Sequence, residues 1–189
     1  MDLALRMHSF QASRALLTAS ASVLALALLS ACAPDRTVPP CPNVRVDAAT
    51  ANITQFREGP GRAVGDIAYQ AEIVSYEGTC TQDLTNDEGE AEVEMEVEFA
   101  LATGGAAPAG DIPLYYFVAL PQLFPDPAGK QVFEVRRESK GPSAKAERWT
   151  ETIHMTIPVT KARPAAGFDI YVGFQLTDEQ LAFNRTRVR

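Results

Sequence analysis

Residues 90–101 read EAEVEMEVEFAL, a stretch in which five glutamates alternate with apolar residues. A period of two over a dozen residues does not fit one helical face and indicates a β-strand with one buried side. The buried set would be Ala91, Val93, Met95, Val97, Phe99 and Leu101, and the solvent-facing set Glu90, Glu92, Glu94, Glu96 and Glu98. This strand predicts a fold built from half-buried sheets.

Further strand patterns recur along the chain between turns rich in Gly and Pro. Besides the glutamate strand they cover residues 52–57, 67–73, 114–120, 132–135, 148–157 and 168–176. The run at 114–120 is continuously apolar, which is typical of a strand covered on both faces. About seven short antiparallel strands predict an all-β, immunoglobulin- or fibronectin-like sandwich, with a small barrel as the alternative.

The C-terminal segment departs from this pattern. Thr177 and Gln180 have the spacing of a capping box, which predicts a short helix over residues 178–183. The arginines that follow, Arg185, Arg187 and Arg189, are expected to form a frayed basic end.

The N-terminus has the features of an export signal. Arg6 and Arg14 give a positive segment, and the uncharged stretch from Ala15 to Leu29 reads ALLTASASVLALALL. A helix of this length spans about 22 Å, which is short of a hydrocarbon core of about 30 Å. The segment therefore predicts a cleaved signal peptide and not a permanent transmembrane helix.

The tetrapeptide that ends this segment, Leu29-Ser30-Ala31-Cys32, resembles the lipobox of bacterial lipoproteins. The resemblance implies a diacylglyceryl group on the Cys32 thiol, cleavage before Cys32 and acylation of the new amine. Two or three acyl chains anchor a protein stably, whereas one gives marginal binding. The alternative is an ordinary secreted protein in which Cys32 follows the cleavage site by chance.

Three segments follow from this assignment: a signal peptide at 1–31, a lipidated Pro-rich tether at 32–43 and a β-sandwich domain at 44–189. The chain resembles small cell-envelope lipoproteins of Gram-negative bacteria. In that group an Asp after the lipidated Cys retains the protein in the inner membrane. Ala33 stands at that position, so the resemblance implies the outer membrane, facing the periplasm.

Cys41 and Cys80 remain once Cys32 is assigned to lipid. Two cysteines in an exported chain indicate one structural disulfide, which here would join the tether to a strand ending near Gly78. Closing a loop of about forty residues stabilises a fold by roughly 4 kcal/mol in the chain-entropy model. The alternatives are free thiols or a redox pair, although the chain has no C-x-x-C motif.

Charge and residue counts narrow the function. The chain carries 17 Lys and Arg against 24 Asp and Glu, and without residues 1–31 it carries 15 against 23. An acidic chain with no basic cluster is a poor nucleic-acid binder. His154 is the only histidine outside the signal, and no G-x-S-x-G motif or set of zinc ligands is present. We therefore predict a non-enzymatic protein without a cofactor or metal; a hydrolase built on His154 is the least favoured alternative.

The five glutamates would form a row, because alternate residues lie about 6.8 Å apart along a strand. Such a row can attract Ca²⁺ or a basic partner. The favoured interpretation is a solvated face relieved by cross-strand partners such as Arg136 or Arg148. Asp83 and Asp87, in an acidic loop with Asn86 and Glu88, do not match the EF-hand spacing and indicate a turn.

An aromatic run, Tyr115-Tyr116-Phe117, precedes a Pro-rich loop that contains Leu123 and Phe124. We expect the run to be core, with one loop aromatic covering the end of the sandwich; a binding edge is the alternative.

Together these features predict a membrane-anchored lipoprotein whose sandwich is a structural or protein-interaction module of the envelope. Its partners would be the membrane, reached through the lipid, and an envelope protein. The alternative is a ligand- or cation-binding lipoprotein that uses the acidic strand and loop.

Overall fold

The computed structural model describes residues 40–143 and 145–187; Cys32, the rest of the lipobox and the signal segment lie outside them. Within the described residues, eight strands form two four-stranded sheets, and one α-helix follows at the C-terminal end. The predicted all-β sandwich is confirmed, with one strand more than expected. No helix in this part of the chain is long and apolar enough to cross a membrane.

The two sheets have simple strand orders. Sheet A contains, from edge to edge, β1 (Asn43–Val46), β8 (Asp169–Phe174), β5 (Ala109–Ala119) and β6 (Lys130–Lys140). Sheet B contains β2 (Asn52–Phe56), β3 (Ile67–Thr85), β4 (Glu88–Thr103) and β7 (Glu147–Thr160). Neighbouring strands are antiparallel except β1 and β8, which are parallel. The helix α1 spans Asp178–Arg185.

The core lies between the sheets because each strand turns its apolar positions inward. Phe99 of β4 is fully buried and stacks on Trp149 of β7 at a ring-centroid distance of 5.3 Å. Across the sandwich it contacts Tyr116 of β5 at 5.1 Å and Phe174 of β8 at 5.7 Å. Burial raises the pKa of the Tyr116 hydroxyl to about 12, so this phenol stays neutral at physiological pH.

β3 and β4 form one long hairpin, and β3 continues well past the expected end near Gly78. The partner of Gly78 is Met95, and the regular alternation of β4 carries the pairing onward to the Thr85–Glu88 pair. Asn86 and Asp87 both have positive φ, 54° and 69°, as a two-residue hairpin turn requires. The predicted acidic turn is therefore present, but it is only two residues long.

Two elements differ from the sequence expectation. β1, which was not predicted, pairs in parallel with β8 at the start of the domain. β6 extends from Lys130 to Lys140, well beyond the predicted 132–135, although its second half is polar. That half belongs to an edge strand, where Arg136, Glu138 and Lys140 are exposed on the outer side. Arg137 lies half-buried on the inner side, where it pairs with Glu147 of β7 and lies over the Trp149 ring at 5.0 Å.

The predicted helix and its capping box are confirmed. The Thr177 hydroxyl accepts a hydrogen bond from the Gln180 amide at 3.3 Å, and the Gln180 side chain accepts from the Thr177 amide at 2.9 Å. Asn184, which is 2% exposed, donates to the Ala49 and Asn52 carbonyls at 2.9 and 2.8 Å. These two bonds hold α1 against the start of β2.

Candidate functional site

The glutamates of β4 lie on the outer side of sheet B because the opposite side of the strand is buried. Ala91, Met95, Val97 and Phe99 are fully excluded from solvent between the sheets. Since side chains alternate along a strand, burying this set turns the intervening residues outward. The sequence therefore determines both the strand and the direction in which its carboxylates point.

β4 lies between β3 and β7, so its glutamates run along the middle of a three-strand surface. Glu94 pairs with Thr79 on one side and His154 on the other, and Glu96 pairs with Glu77 and Thr152. We call this surface the acidic face, defined by Glu90, Glu92, Glu94, Glu96 and Glu98 of β4 with Glu77 and Asp83 of β3.

Few cations balance the acidic face. Arg148 pairs with Glu98 at 3.1 Å, and the His154 Nδ1 lies 3.6 Å from Glu94. In residues 40–143 and 145–187, no Lys, Arg or His pairs with Glu90, Glu92 or Glu96.

Of the two predicted cation partners, only Arg148 is on this surface. The suggestion of Arg136 was wrong, because β6 lies in sheet A and Arg136 pairs there with Glu134 at 2.5 Å.

Glu98 is the one carboxylate of this face with a defined hydrogen-bond set. The Arg148 guanidinium and the Ser75 hydroxyl each donate to it at 3.1 Å. These donors stabilise the charged form, and they lower the pKa of Glu98, with the Arg148 bond as the larger cause. The acidic face is therefore neutralised at the end near Arg148 and remains uncompensated further along β4.

The acidic face does not gather its carboxylates around a point. A shallow depression of about 270 Å³ is lined by Glu77, Glu96 and Glu98 together with Ser75, Tyr76 and Thr150. Among the described residues, no three Asp, Glu, His or Cys side chains are arranged to hold a metal ion. The geometry therefore suits an extended charged surface better than a compact cation site.

His154 lies on this face as its strand alternation predicted. Its side chain is 69% exposed, and its contact with Glu94 is a surface pairing between neighbouring strands. Asp87, in the turn at the end of the hairpin, pairs with Lys161 at 3.4 Å.

The predicted disulfide between Cys41 and Cys80 is present. Cys41 lies two residues before β1 of sheet A, whereas Cys80 lies on β3 of sheet B. The bond therefore joins the two sheets at the point where the chain enters the domain.

The outer side of sheet A is also open, which corrects one expectation. The run at 114–120 was predicted to be covered on both faces, but only its inner residues, such as Tyr116, are buried. Tyr115 and Phe117 face outward; Tyr115 is 41% exposed, and the Lys130 ammonium lies 4.6 Å from the Phe117 ring centroid. Sequence reasoning missed this surface because its outward positions are as apolar as its inward ones.

The loop after β5 contains two large apolar residues, one at the core and one in solvent. Leu123 packs against the core, whereas Phe124 is 81% exposed and covers nothing in the described part of the chain. The expectation that a loop aromatic covers the end of the sandwich was therefore wrong: Leu123 packs there, and Phe124 is exposed.

Comparison of the chain with protein-family models, with curated proteins and with solved structures gave no match.

Proposed function

We propose that this protein is a lipid-anchored, non-enzymatic component of the bacterial cell envelope whose acidic face binds a basic surface of another envelope protein. The lipid would be carried by Cys32 and inserted in the outer membrane, with the domain in the periplasm. The observation that carries the partner assignment is the uncompensated charge of the acidic face.

The charge pattern supports recognition of a protein surface. Five glutamates along one strand, at intervals of about 6.8 Å, present a row of roughly 27 Å. A row of that length exceeds any single small ion and matches the width of an ordinary protein contact. Complementary charge of this kind raises the association rate and selects among partners.

The disulfide supports the anchored role. Nine positions separate Cys32 from Cys41, so the extended chain between them reaches at most about 32 Å. Since Cys41 is bonded to Cys80, the end of the sandwich that carries this bond would be held within that distance of the lipidated residue.

The partner assignment can be tested by photo-crosslinking in living cells. A photoreactive amino acid is placed at Thr152, which is exposed beside Glu96, and at Val132, which is 50% exposed on the outer side of sheet A. We expect a discrete product with another protein from position 152, and none of the same size from position 132.

Charge reversal then distinguishes the acidic face from chance proximity. The test variant carries Glu92→Lys, Glu94→Lys and Glu96→Lys, and a control with the same charge change carries Asp111→Lys, Glu134→Lys and Glu138→Lys on sheet A. The product from position 152 should disappear in the first variant and persist in the second. A product that survives the first variant would contradict the proposal.

The anchor has its own test. Cys32→Ser should leave the chain uncleaved by the lipoprotein-specific peptidase and unlabelled by radioactive palmitate. The control is Cys80→Ser, which lacks the disulfide but should still be labelled. Normal labelling of the Cys32 variant would refute the lipid assignment.

A further inference from the structure

We infer that the loop at residues 121–129 contacts the lipid surface and that the Phe124 ring enters the interfacial region of the bilayer. This inference deepens the proposed function and rests on its lipid anchor. We call this segment the Phe124 loop; it connects β5 to β6 at one end of sheet A.

The Phe124 loop is stiff, so the ring is held in the solvent. Pro121, Pro125 and Pro127 restrict its backbone, and two short 3-10 helices occupy most of its length. The Leu120 amide bonds to the Gly129 carbonyl at 2.8 Å and closes the base of the loop. Leu123 packs against the core beneath it.

The outward surface of the loop is apolar over several neighbouring residues. The exposed residues of the loop include Pro121, Phe124, Pro125, Pro127 and Ala128. Asp126 is the only charged residue of the loop, and its carboxylate accepts a hydrogen bond from the Ala128 amide at 2.8 Å. A fixed apolar projection of this kind gains free energy when it leaves water for a lipid interface.

The loop lies at the end of the domain where the tether arrives. Asn43, the first residue of β1, pairs with Asp169, the first residue of β8. Asp169 accepts hydrogen bonds from Arg45 at 2.9 Å and from Gln122 of the Phe124 loop at 3.5 Å. One carboxylate therefore connects the start of β1 to the loop that carries the exposed ring.

The length of chain outside the structure fits this placement. With Cys41 bonded to Cys80, the tether reaches the domain beside β1, and its maximal span of about 32 Å keeps this end near the membrane. A tether that is well short of its full extension would bring the Phe124 loop to the headgroups. The lipid anchor would therefore keep the domain near the bilayer, and contact of the loop with lipid would determine how the domain is oriented.

The distribution of charge over the two sheets also favours an orientation in which the Phe124 loop faces the membrane. Bilayers that contain anionic lipids have a negative surface potential, which repels the acidic face of sheet B. The outer side of sheet A carries charges of both signs: Arg136 pairs with Glu134 and Arg45 with Asp169. Asp111 and Glu138 lie opposite each other there without a basic partner among the described residues. A domain resting on the Phe124 loop would keep the acidic face free for a protein partner.

Tryptophan fluorescence of the full-length lipidated protein tests the inference. Phe124→Trp and Val64→Trp are reconstituted into vesicles of phosphatidylethanolamine and phosphatidylglycerol, with and without brominated acyl chains. Val64 is a matched control because it is 84% exposed, against 81% for Phe124. It lies just before the start of β3, whereas the disulfide at Cys80 lies near the end of that strand. The parent chain, whose single tryptophan is Trp149, gives the baseline.

For Phe124→Trp we expect the fluorescence emission to shift to the blue and to be quenched by the brominated lipids. For Val64→Trp, once the emission of its added tryptophan is allowed for, we expect neither a shift nor quenching. Equal behaviour of the two variants in chains that float with the vesicles would overturn the inference and leave the anchor intact. Chains that do not float would overturn the anchor and the inference with it. A shift without quenching that grows with the protein-to-lipid ratio would assign the loop to a second copy of the chain and also overturn the inference.

Discussion

β4 and β5 hold equivalent interior positions in their sheets, but their outward residues differ in kind. β4 turns glutamates to solvent, whereas β5 turns out Tyr115 and Phe117. Both strands bury the same type of residue inside, so the core does not explain the difference. The comparison shows that the inner faces determine the fold, while the two outer faces can differ in charge and polarity without changing the core.

The largest expected effect compares one phenylalanine from each strand. Phe99→Ala on β4 should lower the free energy of unfolding by about 3–5 kcal/mol, because a buried ring leaves a cavity among Trp149, Tyr116 and Phe174. Phe117→Ala on the outer side of β5 should cost about 1 kcal/mol. Urea denaturation measures both, and equal losses would contradict the assignment of inner and outer sides.

The disulfide between the sheets comes next. Replacing Cys41 and Cys80 together by alanine should lower the free energy of unfolding by about 2–4 kcal/mol, because the unfolded chain regains its freedom. The parent chain in a reducing agent is the control and should show the same loss in urea. An unchanged transition midpoint in both would show that the two sheets hold together without the bond.

A smaller effect on stability is expected from removing one negative charge from each outer face. Glu96→Gln should raise the free energy of unfolding by about 0.2–1 kcal/mol at low salt, because Glu77 lies directly opposite Glu96. The gain should shrink as salt screens the repulsion. Glu134→Gln on sheet A is the control and should give no gain, since it removes the partner of Arg136. An equal gain in the free energy of unfolding in both variants would contradict the claim that Glu96 carries an unrelieved repulsion that Glu134 lacks.

The smallest effect concerns one titration. Arg148→Gln should raise the pKa of Glu98 toward its ordinary value, because the variant loses the guanidinium that donates to this carboxylate. A lowered pKa stabilises the fold above the ordinary glutamate range, and this contribution is lost as the pH falls through the lowered value. Nuclear magnetic resonance titration of the Glu98 carboxyl measures the change. Arg136→Gln should leave it unaltered, and a shift in that control would count against a local cause.

The same contrast explains how far the sequence could predict the structure. In β4 the polar and apolar residues alternate strictly, so the strand, its buried side and the direction of its glutamates were all predictable. In β5 both alternating sets are apolar, and the sequence does not say which set is covered. Tyr115 was therefore placed in the core, although it faces solvent.

Edge positions limited the prediction in a different way. β1 alternates, with Val44 and Val46 packed against the core, but it is only four residues long and pairs with β8, which is distant in sequence. The second half of β6 lacks the apolar periodicity of a buried strand, and its pairing with β5 extends it beyond the predicted residues. The disulfide was predictable from the two cysteines that remain once Cys32 is interpreted as the lipidation site. That it would connect β1 to β3 across two sheets depended on topology, which residue counts do not contain.

The position of the disulfide also decides how the domain bears mechanical force. A pull on the N-terminal tether reaches Cys41 before β1 and passes through the sulfur bridge to Cys80. β1, with only four residues paired to β8, is thereby spared the tension. The pull falls on β3, which is hydrogen-bonded to β4 from Tyr69 to Thr85. A domain pulled from its N-terminal side would therefore resist opening better than one held there by β1 alone.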